Sequence, residues 1–388
     1  MTPGARVAAA IGVMDRVLDG AAAERELIAW ARGARYAGSK DRAAVRDLVF
    51  SALRRLRSSA ARGGAMTGRG VLWGLLAGQG EDADALFDGA GHAPAPPSAA
   101  ERAARRMPDA EEALDMPGWL LPELGRSLGD DLEPVCATMR DRAPVQLRAN
   151  LARGTRDEVA AALAAEGIAT APNALSPSAL DVTSGARALR GSRVMAEGLA
   201  EPQDAASQAV ADAVPLRAGA RVLDWCAGGG GKALALAARS GGPVWAHDAD
   251  AGRMTDLPQR AGRARADIRV LPPGGAGEGW DVILVDAPCS GSGSWRRAPE
   301  AKWRLTPERL RELTEVQGRI LDSAAAALAP GGTLVYATCS LLALENDDVG
   351  AAFGGRSGWT LERSFALTPL DGGDGFHAAI WRRPGGAG

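Results

Sequence analysis

From Val7 to about Arg57 the apolar positions recur at helical spacing: Ile11, Met14, Val17 and Leu18, then Leu27, Ile28 and Trp30, then Val45, Leu48, Val49, Leu53 and Leu56. The pattern predicts an all-helical first segment. Residues 89–100, GAGHAPAPPSAA, carry too much Gly and Pro for either period and read as a linker or long loop, and Pro117, Gly118 and Pro122 bracket a second break. From Val145 to Gly167 a short strand (VQLRAN), a polar turn and a helix (EVAAALAAEG) open a small α+β unit. After Pro202 strands alternate with helices. RVLDW (221–225) runs into a glycine turn and an Ala/Leu helix, PVWAHD (243–248) is a second strand, and WDVILVDAP (280–288) holds another. A helix from about Pro307 to Leu328 closes at APGG, and GTLVYATCS (332–340) holds a further strand. Continuous apolar strands alternating with helices imply a parallel, doubly wound sheet covered on both faces. The chain therefore divides into residues 1–140, 141–200 and 201–388.

Composition changes this picture little. With 46% hydrophobic and 24% charged residues, wholesale disorder is excluded, while only 4% aromatics leave the packing to Leu, Val and Ile. Arginine so dominates the basic residues that Lys40, Lys232 and Lys302 each invite scrutiny. A net charge of −2 neither demands nor excludes a nucleic-acid partner, but residues 1–70 hold 13 Arg plus Lys against 6 Asp plus Glu. Cys136, Cys226, Cys289 and Cys339 are widely spaced, and His92, His247 and His377 are isolated, so no zinc site is expected. No apolar run approaches the roughly 20 residues of a membrane span, and no signal-peptide pattern opens the chain. A reducing cytoplasm with unpaired thiols is the expected setting.

The chemistry concentrates in VLDWCAGGGGK (222–232), a strand entering four glycines at a helix start, where a ligand can approach the backbone and N–H groups attract an anion. Asp248 ends the next strand, where a carboxylate can accept ribose hydroxyls. A phosphate loop is disfavoured by Cys226 and Ala233, whereas Gly228, Gly230 and Ala233 fit a dinucleotide fingerprint, and S-adenosylmethionine fits equally well. A plain tight turn stays open too. Two thiols add a discriminating feature: DAPCSGSG (286–293) and YATCS (336–340) each put a cysteine just past an apolar strand. Parallel strands end on one ligand-binding edge, so Cys289 and Cys339 are expected to converge beside the glycine turn for covalent catalysis. Cys226 and Cys136 read as small buried hydrophobes. Arg296, Arg297, Lys302 and Trp303 follow the Cys289 loop and suit phosphate contact or loop anchoring, although a solvated face with a buried Trp303 explains them as well.

Together, QDAASQ (203–208), LDWCAGGGGK (223–232), DAPCSGSGSWRRAPEAKW (286–303), YATCS followed by EN (336–346) and DGF (374–376) resemble the RsmB/Sun family of RNA cytosine-5 methyltransferases. KDRAAVRDLVFSALRRL (40–56) is similar to part of that family's NusB-like helical domain, and VQLRAN resembles its small RNA-binding subdomain. The resemblance implies a Rossmann-like S-adenosylmethionine-dependent methyltransferase domain, preceded by an N-terminal all-helical NusB-like domain and a small α+β subdomain. It makes Cys339 the nucleophile toward cytosine C6, gives Cys289 a part in product release, and sets Asp286 near the cytosine edge. Its cofactor residues fall on Cys226, Ala227, Gly228, Gly229, Gly230, Gly231, Lys232, Asp248 and Asp286, with no metal. Lys232 is a candidate for lowering the pKa of Cys339. One departure stands out: where the family carries an acidic residue near the adenine end, this chain has Pro272 and Pro273. The implied partner is small-subunit ribosomal RNA, with transfer RNA and a catalytically weak ribosome assembly factor as alternatives. A nicotinamide oxidoreductase leaves both thiol motifs unexplained. The expected state is a cytoplasmic monomer.

Overall fold

Thr2 accepts a hydrogen bond from Ala5 N and Pro3 opens the first helix, Pro3–Leu18, in the computed structural model, which describes residues 1–385. The last residues of the third expected part, 386–388, lie outside the described residues. Four more helices follow: Ala23–Gly33, Ser39–Arg54, Leu56–Gly63 and Gly68–Gly78. Their apolar stripes meet in one core around Met14, Val49, Leu53, Leu72 and Trp73, as the helical spacing requires. The chain forms two compact units, residues 1–142 with 295–304 and residues 143–294 with 305–388. The insertion was not legible from periodicity. Segment 295–304, counted with the catalytic part from sequence, packs in the helical unit through its helix Pro299–Arg304.

The second unit begins with a four-stranded antiparallel sheet of β1 (Gln146–Ala149), β2 (Ala169–Pro172), β3 (Ala179–Ser184) and β4 (Ala200–Pro202), in the order β2-β3-β1-β4. Strand periodicity splits β1: Leu147 and Ala149 enter a core with Leu163 of the helix Arg156–Ala165, while Gln146 and Arg148 are buried on the other face. A capping box between Thr155 and Glu158 starts that helix.

The larger sheet has β5 (Val222–Asp224), β6 (Val244–Ala246), β7 (Ile268–Val270), β8 (Trp280–Asp286), β9 (Leu328–Thr338), β10 (Thr360–Leu367) and β11 (Phe376–Arg382). Their order is β10-β11-β9-β8-β5-β6-β7. The pairs β5–β6, β5–β8, β6–β7 and β8–β9 are parallel, as the sequence predicts. The sheet is parallel from β7 to β9, and the sequence pattern leaves out its antiparallel edge, where β11 runs antiparallel to β9 and β10 antiparallel to β11. β10 escapes detection because its sequence, TLERSFAL, is mostly exposed and lacks a buried apolar run. The helix Pro307–Ala327 passes directly into β9, so APGG belongs to the strand. Ile283, Leu284 and Val285 of β8 are fully buried, which is what central parallel strands demand. This is a Rossmann-like α/β fold with a helical N-terminal region.

Candidate active site

β5, β8 and β9 deliver their carboxyl ends side by side, and with them Asp224, Asp286 and the two thiols. Cys289 Sγ and Cys339 Sγ lie 3.4 Å apart, though 50 residues separate them in sequence. The hydrogen bond from Cys289 holds the Cys339 thiol below the usual range, against burial and the Asp286 charge, with the Lys232 cation assisting. Cys289 is pushed well above that range by the same bond and by burial. One sulfur is thus poised to be thiolate and the other to keep a proton.

Lys232 is not a solvated helix-start lysine. It is 7% exposed, its Nζ donates to Asp286 Oδ2 at 2.7 Å, and it stands 4.7 Å from the Phe376 ring centre. Burial alone works against its charge, yet the Asp286 carboxylate raises its pKa above the ordinary lysine value. Asp286 remains about one third exposed.

Sequence reasoning quoted Glu345 only as part of a motif. The structure buries it completely and makes it the tie between the thiol loops. It accepts hydrogen bonds from Ser290 N at 2.8 Å, Ser290 Oγ at 2.5 Å, Ser340 Oγ at 2.6 Å and Gln317 Nε2 at 3.1 Å. Each of those serines directly follows one of the paired cysteines. A lone carboxylate inside the apolar stretch LLALEN was the available signal, because an acid so placed is buried only when paired. Cys339 O also accepts from Gly293 N at 2.9 Å, which adds a backbone tie between the same loops.

The glycine turn has positive φ at Gly228 (52°) and Gly230 (81°), and the helix Gly231–Ser240 starts without a side-chain cap. Such a start presents backbone N–H groups to an anion. Asp248 is almost fully buried and clamps the turn: it accepts from Gly228 N at 2.9 Å and Asp250 N at 3.0 Å, and pairs with Arg253 at 3.2 Å. Asp224, at the end of β5, is buried with no hydrogen-bond partner of ordinary geometry on either oxygen, although Ala233 N–H lies close enough to be felt. Burial pushes its pKa up to about 7. An unpartnered buried carboxyl beside an N–H-lined turn fits a ligand that brings both a donor and an anion, as an amino-acid moiety does. Cys226 is half-buried, and desolvation pushes its thiol up. Cys136 is buried in the helical unit with its pKa raised to about 11.

The segment carrying Pro272 and Pro273 is held through His247, whose Nδ1 bonds Trp225 O at 2.8 Å while Nε2 accepts from Gly274 N at 3.3 Å. Of the phosphate contact and loop anchoring read for Arg296 and Lys302, phosphate contact is corrected, since both are buried, and the bonds of Lys302 are anchoring ones. Lys302 Nζ donates to Arg54 O at 3.1 Å and Asp115 O at 2.6 Å, and burial lowers its pKa to about 8. Arg297 is exposed and Trp303 half-buried. Among the described residues no His, Cys, Asp and Glu cluster could hold a metal ion, and no helix is long and apolar enough to cross a membrane.

Residues 212–366 match the family described as 16S rRNA methyltransferase RsmB/F, and residues 116–188 match the RsmF/B-like ferredoxin-like domain. A ribosomal RNA small subunit methyltransferase B of Xylella fastidiosa is 33% identical over 71% of this chain and 70% of its own length. Its counterpart from Vibrio cholerae is 36% identical over 59% of this chain, a match that spans 55% of the Vibrio protein. The chain thus spans little more than half of that relative. A methyltransferase homologue from Pyrococcus horikoshii shares the fold at a TM-score of 0.61 and 22% identity, over 70% of this chain and 96% of its own.

Proposed function

Because the chain belongs to the RsmB/F family of 16S rRNA methyltransferases, we propose that it methylates C5 of a cytosine in small-subunit ribosomal RNA, acting as a monomer in the cytoplasm. The observation that carries this reading is the pair of thiols 3.4 Å apart, within the electrostatic reach of Lys232, which follows the glycine turn and pairs with Asp286. S-adenosylmethionine, when bound, supplies an electrophilic methyl group. Residues Cys226 to Lys232, Asp248 and Asp286 would hold it, the turn amides taking its carboxylate and Asp224 offering an acceptor to its amino group.

Cytosine C5 is a poor nucleophile. Cys339, held partly as thiolate, adds through Sγ to C6, and the electron pair displaced from the C5–C6 bond makes C5 enamine-like. As the thiolate adds, cytosine N3 takes up a proton from solvent, and the Asp286 carboxylate, reachable from solvent and paired with Lys232, accepts a hydrogen bond from the resulting N3–H. After C5 is methylated its proton passes to a solvent base, the C–H electron pair re-forms the C5–C6 double bond, and the S–C6 bond breaks, returning Cys339 to thiolate. Cys289, its Sγ 3.4 Å from that of Cys339, takes part in that release. The target base must be unstacked to reach the thiols.

The test uses unmethylated small-subunit RNA and, separately, unmethylated transfer RNA with purified protein and bisulfite sequencing. Wild-type protein is expected to protect one cytosine and Cys339→Ala none. Cys289→Ala is expected to accumulate an RNA-dependent, slowly migrating covalent adduct on a denaturing gel. Protection by the Cys339 variant would overturn the nucleophile. Protection of a transfer-RNA cytosine instead would move the substrate.

A further inference from the structure

The glycine turn is gripped from behind by the small sheet. Glu201 of β4 lies opposite Arg148 of β1 in register, and its side chain is buried. It accepts from Arg148 at 3.4 Å, from Arg260 Nε at 3.2 Å and a second Arg260 nitrogen at 2.9 Å, and from Arg263 at 3.4 Å. Two of these arginines then reach the turn. Arg148 donates to Gly231 O at 2.6 Å and Arg260 donates to Gly229 O. The two carbonyls thus held flank Gly230, whose φ is 81°.

Four successive glycines have wide backbone freedom, and ordering them costs more entropy than any other tetrapeptide. Fixing a carbonyl fixes its whole peptide plane and with it the next N–H: that of Gly230, which closes the turn on Ala227 O at 2.8 Å, and that of Lys232 at the uncapped helix start. Arginine suits this because its planar fork can hold a carboxylate with one edge and a carbonyl with another. A carboxylate shared by three guanidiniums also leaves a net positive field behind the turn, which favours an anionic ligand group in front.

We propose that Glu201 is a positioning residue for the cofactor turn: through Arg148 and Arg260 it sets the peptide planes at Gly229 and Gly231, so that the small sheet shapes the anion-binding amides of the catalytic sheet. This rests on the reading of the turn as the methyl-donor site. Glu201 does not touch the ligand; it acts through the two arginines.

The test uses the full chain with Glu201→Gln, Arg260→Met and Arg260→Lys. Arg260→Met removes the grip on Gly229 and leaves Arg148 with Glu201, so it serves if Glu201→Gln fails to fold. Amide hydrogen exchange across residues 228–232 of the ligand-free protein should be faster in both Glu201→Gln and Arg260→Met. The dissociation constant for S-adenosylhomocysteine, measured by titration calorimetry, should rise about tenfold or more, the scale of a lost charge-assisted hydrogen bond. Arg260→Lys should recover part of both. Unchanged exchange and unchanged affinity, even with a lowered melting temperature, would overturn the proposal and leave Glu201 a plain structural ion pair. Wild-type protein that binds no S-adenosylhomocysteine would overturn the donor-site reading instead, while the exchange measurement still judges Glu201.

Discussion

One proton shared between Cys289 and Cys339 has two different homes. Lys232 helps Cys339 give it up, while the Glu345 charge and burial favour Cys289 keeping it. A thiolate alkylates and a thiol does not, so the rate reports ionisation. With the Cys289 hydrogen bond holding Cys339 below the ordinary thiol range and Cys289 itself pushed above it, iodoacetamide should label Cys339 first as pH rises and Cys289 only at higher pH. Lys232→Met removes a nearby cation and leaves Asp286 unopposed, and both changes disfavour the Cys339 thiolate. Its labelling midpoint should move upward, as read by peptide mass spectrometry across a pH series. A midpoint that stays put would show that Lys232 serves only packing. The two thiols were legible in the chain because Pro, Ser and Gly surround each one just past an apolar strand. The asymmetry between them was not, because it depends on which charge lies nearer in space.

At the scale of elements, the glycine turn and the thiol loops are built by opposite means. The turn relies on absent side chains: an added Cβ at Gly230 would run into Leu257, and the positive φ there is unfavourable for any L side chain. Gly230→Ala should therefore open the turn and weaken S-adenosylhomocysteine binding at least tenfold, at roughly 1–3 kcal/mol of backbone strain, checked by calorimetry and thermal unfolding. The thiol loops rely on a present one, since Glu345 gathers both serine hydroxyls and Ser290 N. Glycine runs announce themselves in a sequence by their rarity. A tying carboxylate does so only through its apolar neighbours, so the turn stood out as a feature and Glu345 only as a letter in a motif.

For the whole molecule the informative feature is the stretch 295–304, which leaves the catalytic unit's chain and completes the helical one. The helix Ser39–Arg54 ends with carbonyls that need donors. Trp303 Nε1 donates to Leu53 O at 2.7 Å and Lys302 Nζ to Arg54 O at 3.1 Å, so the inserted helix caps the older one, with a cation at its negative end. Trp303 also packs against the helical core. Trp303→Ala should lose that contact and orphan a carbonyl, lowering the stability of the helical unit by about 2 kcal/mol. Faster hydrogen exchange at the end of Ser39–Arg54, with the catalytic unit's amides unchanged, would confirm it; uniform loosening of both units would contradict the assignment.

The sequence by itself determined the order and type of most elements, the glycine turn, and the arrival of two thiols at one sheet edge. These are local or topological properties: period reports burial on one face, and parallel strands necessarily share their carboxyl ends. Only the tertiary structure decided which charges meet. Glu201 and Arg260 are 59 residues apart, Arg148 and Gly231 83, and Leu53 and Trp303 250. No period spans such distances. The antiparallel strand β11, the inserted helix and the grip of Glu201 behind the turn follow from packing that no stretch of residues encodes alone.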